Sequence, residues 1–156
     1  MMTAKGNSYM GGQRLHLVLG CGDVGFEVAS RLKERGMAVA VVEKDAGKVK
    51  ELRLAAGHDV YLGDFRRPEV LKQAGISRAD AVILTVPDFA TIRQALKAIN
   101  SLKKELGINP AVIVRVVHEI EAEEAKRLGA SDVVPSAQTI ADALVDKIKP
   151  KKQKAS

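Results

Sequence analysis

Three glycines near the start of the chain have the spacing of a phosphate-binding turn. Gly20, Gly22 and Gly25 form a G-x-G-x-x-G pattern after an apolar run, with Cys21, Asp23 and Val24 between them. In such a turn the first glycine permits the sharp bend, the second lets the backbone approach a pyrophosphate, and the third lets a helix pack closely on the strand. Backbone N–H groups and the positive end of the helix dipole would then hold a phosphate at residues 20–25.

An acidic residue follows these glycines at the end of the second apolar run. Glu43 lies about twenty residues downstream, where a carboxylate can accept hydrogen bonds from both hydroxyls of an adenosine ribose. This position favours NAD, NADH, AMP, ADP or ATP and disfavours NADP, because the 2′-phosphate of NADP would meet a negative charge. Lys44 comes next in the chain and would soften that discrimination. The alternative is a solvated acid at a strand end.

Polar residues also follow or interrupt the later apolar runs. Asp64, with Phe65 beside it, and Thr85 end the third and fourth runs, so we expect them at the same crevice. A turn-forming aspartate and a strand threonine are the alternatives. Arg115 interrupts the fifth run and needs a partner for its guanidinium group. We predict that this partner is a ligand phosphate or a second subunit, with an internal ion pair as the alternative.

Catalytic residues do not come together in the sequence. The three histidines are far apart, and the serines do not lie in a nucleophile elbow. Cys21 is interpreted as a small residue of the turn, although a helix N-terminus would lower the pKa of a thiol there. We therefore predict a binding domain that is not an enzyme and has no metal site. The alternative is a subunit of an NAD-dependent oxidoreductase that lacks its substrate domain.

Strand and helix patterns alternate along the chain and would position these residues. Six strands are predicted from short apolar, often β-branched, runs, at 15–19, 39–42, 59–62, 81–86, 111–117 and 132–135. Helical patterns separate them, including 89–106 and 120–128. This alternation predicts an α/β, Rossmann-like fold in a single domain: a doubly wound parallel six-stranded sheet of order 3-2-1-4-5-6. The glycine turn would then lie where strands 1 and 4 part. The apolar stripe of 89–106 is either core or a dimer face.

Composition and charge narrow the possible partners. The 156 residues are 46% hydrophobic but only 3% aromatic, which suits a buried parallel sheet and disfavours a nucleic-acid surface built on aromatic stacking. Without the five lysines of the last ten residues, the net charge falls from +6 to +1. We interpret 149–156 as a solvated basic tail, with attraction to anionic lipid or nucleic acid as the alternative. Residues 1–13 are interpreted as a flexible leader and 14–148 as the folded, cytoplasmic domain.

Several motifs resemble the TrkA N-terminal family, also called KTN or RCK domains, which are regulatory nucleotide-binding domains of potassium channels and transporters. The stretch LTVPD at 84–88 is most similar to the Kef-type potassium efflux antiporters. The other matching motifs are GCGDVG at 20–25, VEKD at 42–45, YLGD at 61–64, LKQAGI at 71–76, ADA at 79–81, IVRV at 113–116 and LGASDVVP at 128–135.

The resemblance implies a sensor of NAD or NADH, or of AMP, ADP or ATP. Such a domain forms a homodimer or higher oligomer and gates a membrane-embedded potassium channel or transporter, from the cytoplasm or the inner face of the membrane. The resemblance assigns phosphate to residues 20–25, the ribose to Glu43, the adenine side to Asp64 and the inward arginine to Arg115. Many relatives have arginine where this chain has Asp23, which disfavours a triphosphate.

Overall fold

Six parallel strands form one sheet of order β3-β2-β1-β4-β5-β6 in the computed structural model, which describes residues 14–55 and 58–150. The strands are β1 (Leu15–Leu19), β2 (Ala38–Glu43), β3 (Asp59–Leu62), β4 (Ala79–Leu84), β5 (Ala111–Val116) and β6 (Asp132–Pro135). The helices are α1 (Asp23–Glu34), α2 (Ala46–Ala55), α3 (Pro68–Ala74), α4 (Phe89–Leu106), α5 (Ala122–Arg127) and α6 (Ser136–Val145). The predicted Rossmann-like fold is confirmed.

Helices cover both faces of the sheet, which explains why its central strands are almost continuously apolar. All six residues of β2 are buried. Alternate side chains of β1 enter different cores: Leu17 and Leu19 pack in the cluster that includes α4, whereas Val18 packs in the cluster that includes α1 and α2. None of the helices in the described residues has both the length and the apolarity needed to cross a membrane.

The apolar stripe of α4 belongs to this core. Ile92, Leu96 and Ile99 are at most 1% exposed, so the stripe is not a dimer face. The final helix, α6, is different because it has no buried residue. Its Ile140 and Leu144 are 56% and 65% exposed, which leaves an apolar face of α6 uncovered by the described chain.

Several predicted element boundaries differ from the structure by one or two residues, and two of them change how a segment is described. The fourth strand ends at Leu84 rather than at residue 86, since Leu84 is the last residue to pair with its neighbours in β1 and β5. The predicted helix at 120–128 is a single 3₁₀ turn (Glu119–Glu121) followed by the short α5. The Glu121 carboxylate accepts a hydrogen bond from the His118 amide and caps this turn, which leaves Ile120 87% exposed.

The predicted domain limits at 14 and 148 stay predictions. The leader at 1–13 and all but the first two residues of the tail at 149–156 lie outside the described residues.

Candidate functional site

The glycine turn joins β1 to α1 in a geometry that suits the three roles predicted for its glycines. Gly20 has a φ of +90°, and a Cβ there would lie 2.5 Å from the Val86 Cγ1. A Cβ on Gly25 would lie 2.2 Å from the carbonyl oxygen of Gly20, so this glycine lets α1 pack against the turn. A Cβ on Gly22 would meet no atom within 4 Å. The N-terminus of α1 therefore faces open space.

Glu43 ties the end of β2 to this turn. Its side chain is 7% exposed, and its Oε1 accepts a hydrogen bond of 2.9 Å from the backbone amide of Cys21. Its Oε2 accepts one of 2.8 Å from the amide of Asp45. Because each carboxylate oxygen has two lone pairs, the group keeps acceptor capacity for ribose hydroxyls. Glu43 thus has a structural role in the turn that the sequence did not indicate, beside its predicted role in ribose binding.

Thr85 lies behind the turn. Its side chain is buried. Its hydroxyl donates to the carbonyl oxygen of Gly20 at 3.0 Å and also lies within hydrogen-bond distance, 3.2 Å, of the carbonyl oxygen of Leu19. This contact fastens the end of β4 to the end of β1. Thr85 supports the turn and does not line the cleft that opens in front of it.

Arg115 reaches from β5 to two neutral partners. Its Nη1 donates to the carbonyl oxygen of Thr85 at 3.0 Å, and its Nε donates to the hydroxyl of Ser136 at 3.1 Å. Ser136, the first residue of α6, donates in turn to the carbonyl oxygen of Val116. No carboxylate in residues 14–55 or 58–150 forms an ion pair with Arg115, so the structure does not contain the internal ion pair that was the alternative.

A cleft of about 190 Å³ opens at the carboxyl ends of β1 to β4. This is the edge of a doubly wound sheet at which ligands bind. The cleft brings together five of the predicted site residues, whereas the other seven lie along the start of α1 or behind the turn. Its lining residues are Gly20, Glu43, Lys44, Asp64, Phe65, Arg66, Val86, Asp88 and Thr91. Four of these, Arg66, Val86, Asp88 and Thr91, were not predicted from the sequence.

Arg66 and Asp64 form a paired group on the β3 side of the cleft. The Nε and Nη2 of Arg66 donate to the two oxygens of Asp64, the latter at 2.7 Å, and the Arg66 amide also donates to this carboxylate. These hydrogen bonds from Arg66 lower the pKa of Asp64 to about 2. The Nη1 of Arg66 donates to Gln94 of α4 at 3.0 Å. A basic residue two positions after a strand-ending aspartate is the sequence pattern that could have indicated this pair.

Cys21 is not an activated thiol. Burial, reinforced by the negative charge of Glu43, raises its pKa to about 11. Desolvation of the thiolate and repulsion by Glu43 thus outweigh any lowering of the pKa by the helix N-terminus. Its neighbour Asp23 is exposed in the first turn of α1, where the dipole stabilises a carboxylate.

Comparison with protein families and curated proteins gives one consistent result. The family model of the TrkA-N domain matches residues 16–136. The "Putative K(+) efflux antiporter KefB" of Alkalimonas amylolytica is 29% identical over 125 residues, which cover 80% of this chain and 18% of that protein. The "Glutathione-regulated potassium-efflux system protein" of Haemophilus influenzae is 35% identical over 101 residues, which cover 64% of this chain and 15% of that protein. The chain thus spans less than a fifth of either relative.

Solved structures give the same fold. The NAD(P)-binding domain of an exopolyphosphatase-related protein from Archaeoglobus fulgidus is 26% identical with a TM-score of 0.75, and the match covers 85% of this chain and 95% of that one. The TrkA-N domain of the inner membrane protein YbaL from Escherichia coli is 23% identical with a TM-score of 0.76, over 88% and 98% of the two chains. The ADP-bound form of GsuK is 25% identical with a TM-score of 0.71, over 85% and 33%.

Proposed function

This chain belongs to the TrkA-N domain family, and from that premise we propose that it is a regulatory domain that binds NAD, NADH or an adenine nucleotide. The observation that carries the proposal is the open space in front of Gly22, at the N-terminus of α1 and beside a cleft that contains Glu43. Backbone amides at that helix end suit a phosphate, and Glu43 suits a ribose. The domain binds its ligand and does not transform it.

The comparisons support an adenosine ligand. Of the structures similar to this chain, one is an NAD(P)-binding domain and another is GsuK bound to ADP. The free backbone amides at the N-terminus of α1 and the acid at the end of β2 are the features that such ligands need, so we assign NAD or NADH first and AMP, ADP or ATP as further candidates. Asp23, at the first position of α1, disfavours the most highly charged of these, ATP.

The regulated partner that we propose is a membrane-embedded potassium channel or transporter. Both curated relatives are named for potassium efflux rather than for an enzymatic reaction, and the chain matches less than a fifth of each. The relatives thus combine a TrkA-N-like part with a much larger remainder. We place this domain on the cytoplasmic side of its partner, where adenine nucleotides are found.

A path of hydrogen bonds leads from the proposed phosphate site to α6. The Thr85 hydroxyl contacts the carbonyl of Gly20, the Thr85 carbonyl accepts from Arg115, and Arg115 donates to Ser136 at the start of α6. We propose that the exposed apolar face of α6 packs against a second copy of this chain, because a helix face can be self-complementary about a two-fold axis. A ligand that shifts the turn would then shift this assembly and, through it, the membrane partner.

Calorimetric titration of the wild-type domain with NAD, NADH, AMP, ADP and ATP tests the ligand. Gly22→Ala fills the open space with one methyl group, so we expect the affinity for the bound nucleotide to fall at least about tenfold, which corresponds to about 1.4 kcal/mol. Thermal unfolding of the variant is the control for an intact fold. Absence of binding by the wild type would refute the proposed function, and unchanged affinity in Gly22→Ala would refute the assignment of the phosphate to this turn.

Analytical ultracentrifugation with and without nucleotide tests the assembly. Leu144→Glu places a charge on the exposed face of α6 and should abolish self-association, whereas Leu54→Glu on α2 is a matched control because Leu54 is 78% exposed. Arg115→Met should bind nucleotide but lose the effect of nucleotide on association. A wild type that stays monomeric at high concentration in every nucleotide state would refute the assembly that we propose.

A further inference from the structure

Arg66 lines the cleft on its β3 side, and the sequence pattern did not single it out. We propose that the flat face of the Arg66 guanidinium group stacks on the adenine base and so determines which ligands the cleft selects. The inference rests on the proposed function, since it names the part of the adenosine ligand that this residue recognises. It adds a stacking contact on the base, beside Asp64, which the resemblance assigns to the adenine side.

The strand order sets the direction in which the ligand would lie. Gly20 follows β1, Glu43 ends β2, and Asp64 and Arg66 follow β3. These three strands are neighbours in the sheet. Neighbouring strands lie about 4.8 Å apart. A ligand whose phosphate lies at the glycine turn and whose ribose lies at Glu43 would therefore extend its base towards the end of β3, where Arg66 lies.

The hydrogen bonds of Arg66 leave the faces of its guanidinium group as the natural contact surface. Nε and Nη2 donate to Asp64 and Nη1 donates to Gln94, so all three nitrogens already donate along the edges of the plane. The side chain is nevertheless 37% exposed. A guanidinium plane stacks well on aromatic rings and on bases, and a plane already held in place loses little conformational entropy on binding.

Stacking explains this arrangement better than phosphate binding does. The charge of Arg66 is already balanced by Asp64, whose pKa is lowered to about 2 and which therefore stays ionised at neutral pH. Among the cleft-lining residues, Phe65 and Arg66 have flat groups large enough to cover a purine. Phe65 is only 8% exposed and packs in the core beneath the turn. The exposed flat surface of the cleft thus belongs to Arg66.

Calorimetric titration of the full chain with AMP and with NADH tests the inference. Arg66→Met removes the plane and the charge, whereas Arg66→Lys keeps the charge and removes the plane. Because stacking on a base depends on the plane, we expect both variants to bind each ligand about tenfold more weakly than the wild type does. Gln94→Leu, which removes one support of the plane, should weaken binding in the same direction but by less.

Arg67→Met is the matched control. Arg67 is the next residue in the chain, its side chain is 68% exposed and paired with Glu69, and it does not line the cleft. Its variant should bind AMP within about twofold of the wild type, and thermal unfolding should show that all variants are folded. Wild-type affinity in Arg66→Lys would show that charge, not stacking, is what matters, and wild-type affinity in Arg66→Met would exclude any role; either result overturns the inference. Failure of the wild type to bind refutes the proposed function instead.

Discussion

Gly25→Ala should destabilise the domain even though alanine is the better helix former. Gly25 lies in the first turn of α1, directly beside the turn that precedes the helix. The added Cβ would lie 2.2 Å from the carbonyl oxygen of Gly20 and 2.9 Å from the Thr85 hydroxyl, whereas ordinary contacts begin at 3.4 Å. The nearest atom belongs to the backbone of the turn, so relief of the clash requires the helix or the turn to move by more than about 1 Å.

The expected loss follows from two opposing effects. Overpacking of a well-packed site costs about 1 to 3 kcal/mol, and a clash with backbone lies at the upper end of that range. In a helix interior, alanine is more favourable than glycine by up to about 1 kcal/mol, which offsets part of this loss. We therefore expect the free energy of unfolding to fall by about 2 kcal/mol. In a domain of this size, that loss lowers Tm by about 4 to 8 °C.

Thermal and urea unfolding followed by circular dichroism measure this loss, with Gly22→Ala as the matched control. A methyl group added at Gly22 would meet no atom within 4 Å. Gly22 is the N-cap of α1, so alanine at this position should lower the free energy of unfolding by at most about 1 kcal/mol. The two variants should thus behave in opposite ways, one losing stability and the other losing nucleotide affinity. Equal stability losses, or a change in Tm below about 2 °C for Gly25→Ala, would refute the reasoning.

Three further predictions concern buried polar groups. Thr85→Val removes the hydroxyl that donates to the Gly20 carbonyl, so urea unfolding should show a loss of about 1 to 3 kcal/mol, and an unchanged midpoint would contradict the contact. Burial, with the charge of Lys33 nearby, lowers the pKa of His58 below its usual 6.5. Neutral His58 therefore makes its full contribution to stability above pH 6.5, and this contribution is lost as the pH falls through the lowered pKa of the folded state. On acidification, Tm should thus fall more steeply in the wild type than in His58→Phe. Since the pKa of Cys21 is raised to about 11, only about one thiol in a thousand is ionised at about pH 8, and iodoacetamide should label Cys21 only under unfolding conditions.

The sheet could be predicted from the sequence because each of its strands is recognisable from a short segment of the chain. Each strand is a short apolar run, and the alternation with helices leaves few possible topologies. The boundaries were less predictable where a tertiary contact decides them. β4 ends at Leu84, which pairs with Leu19, the last residue of β1. Ile120 lies in a 3₁₀ turn that is capped by the Glu121 side chain.

The partners of charged side chains could not be predicted, because they depend on contacts between residues distant in sequence. Arg115 donates to groups that lie 30 and 21 residues away, both of them neutral, and neutral partners leave no charge pattern in the sequence. Glu43 could be placed at the end of β2, but its hydrogen bond to the amide of Cys21 spans 22 residues. The stripe of α4 was predicted to be core or dimer face, and only the packing decides that it is core.

The hydrogen bonds at the cleft explain how an anionic ligand can approach three carboxylates. Glu43 accepts two backbone amides, Asp64 is paired with Arg66, and Asp88 accepts the amide and the hydroxyl of Thr91 at the N-terminus of α4. Each of these charges is thus already opposed by hydrogen-bond donors of the protein, and Lys44 adds a positive charge at the rim. Formal charges counted along the sequence therefore overstate the repulsion that a phosphate would meet. What decides whether the site accepts a phosphate is the set of donors left free, and these are the backbone amides of Gly22 and of the first turn of α1.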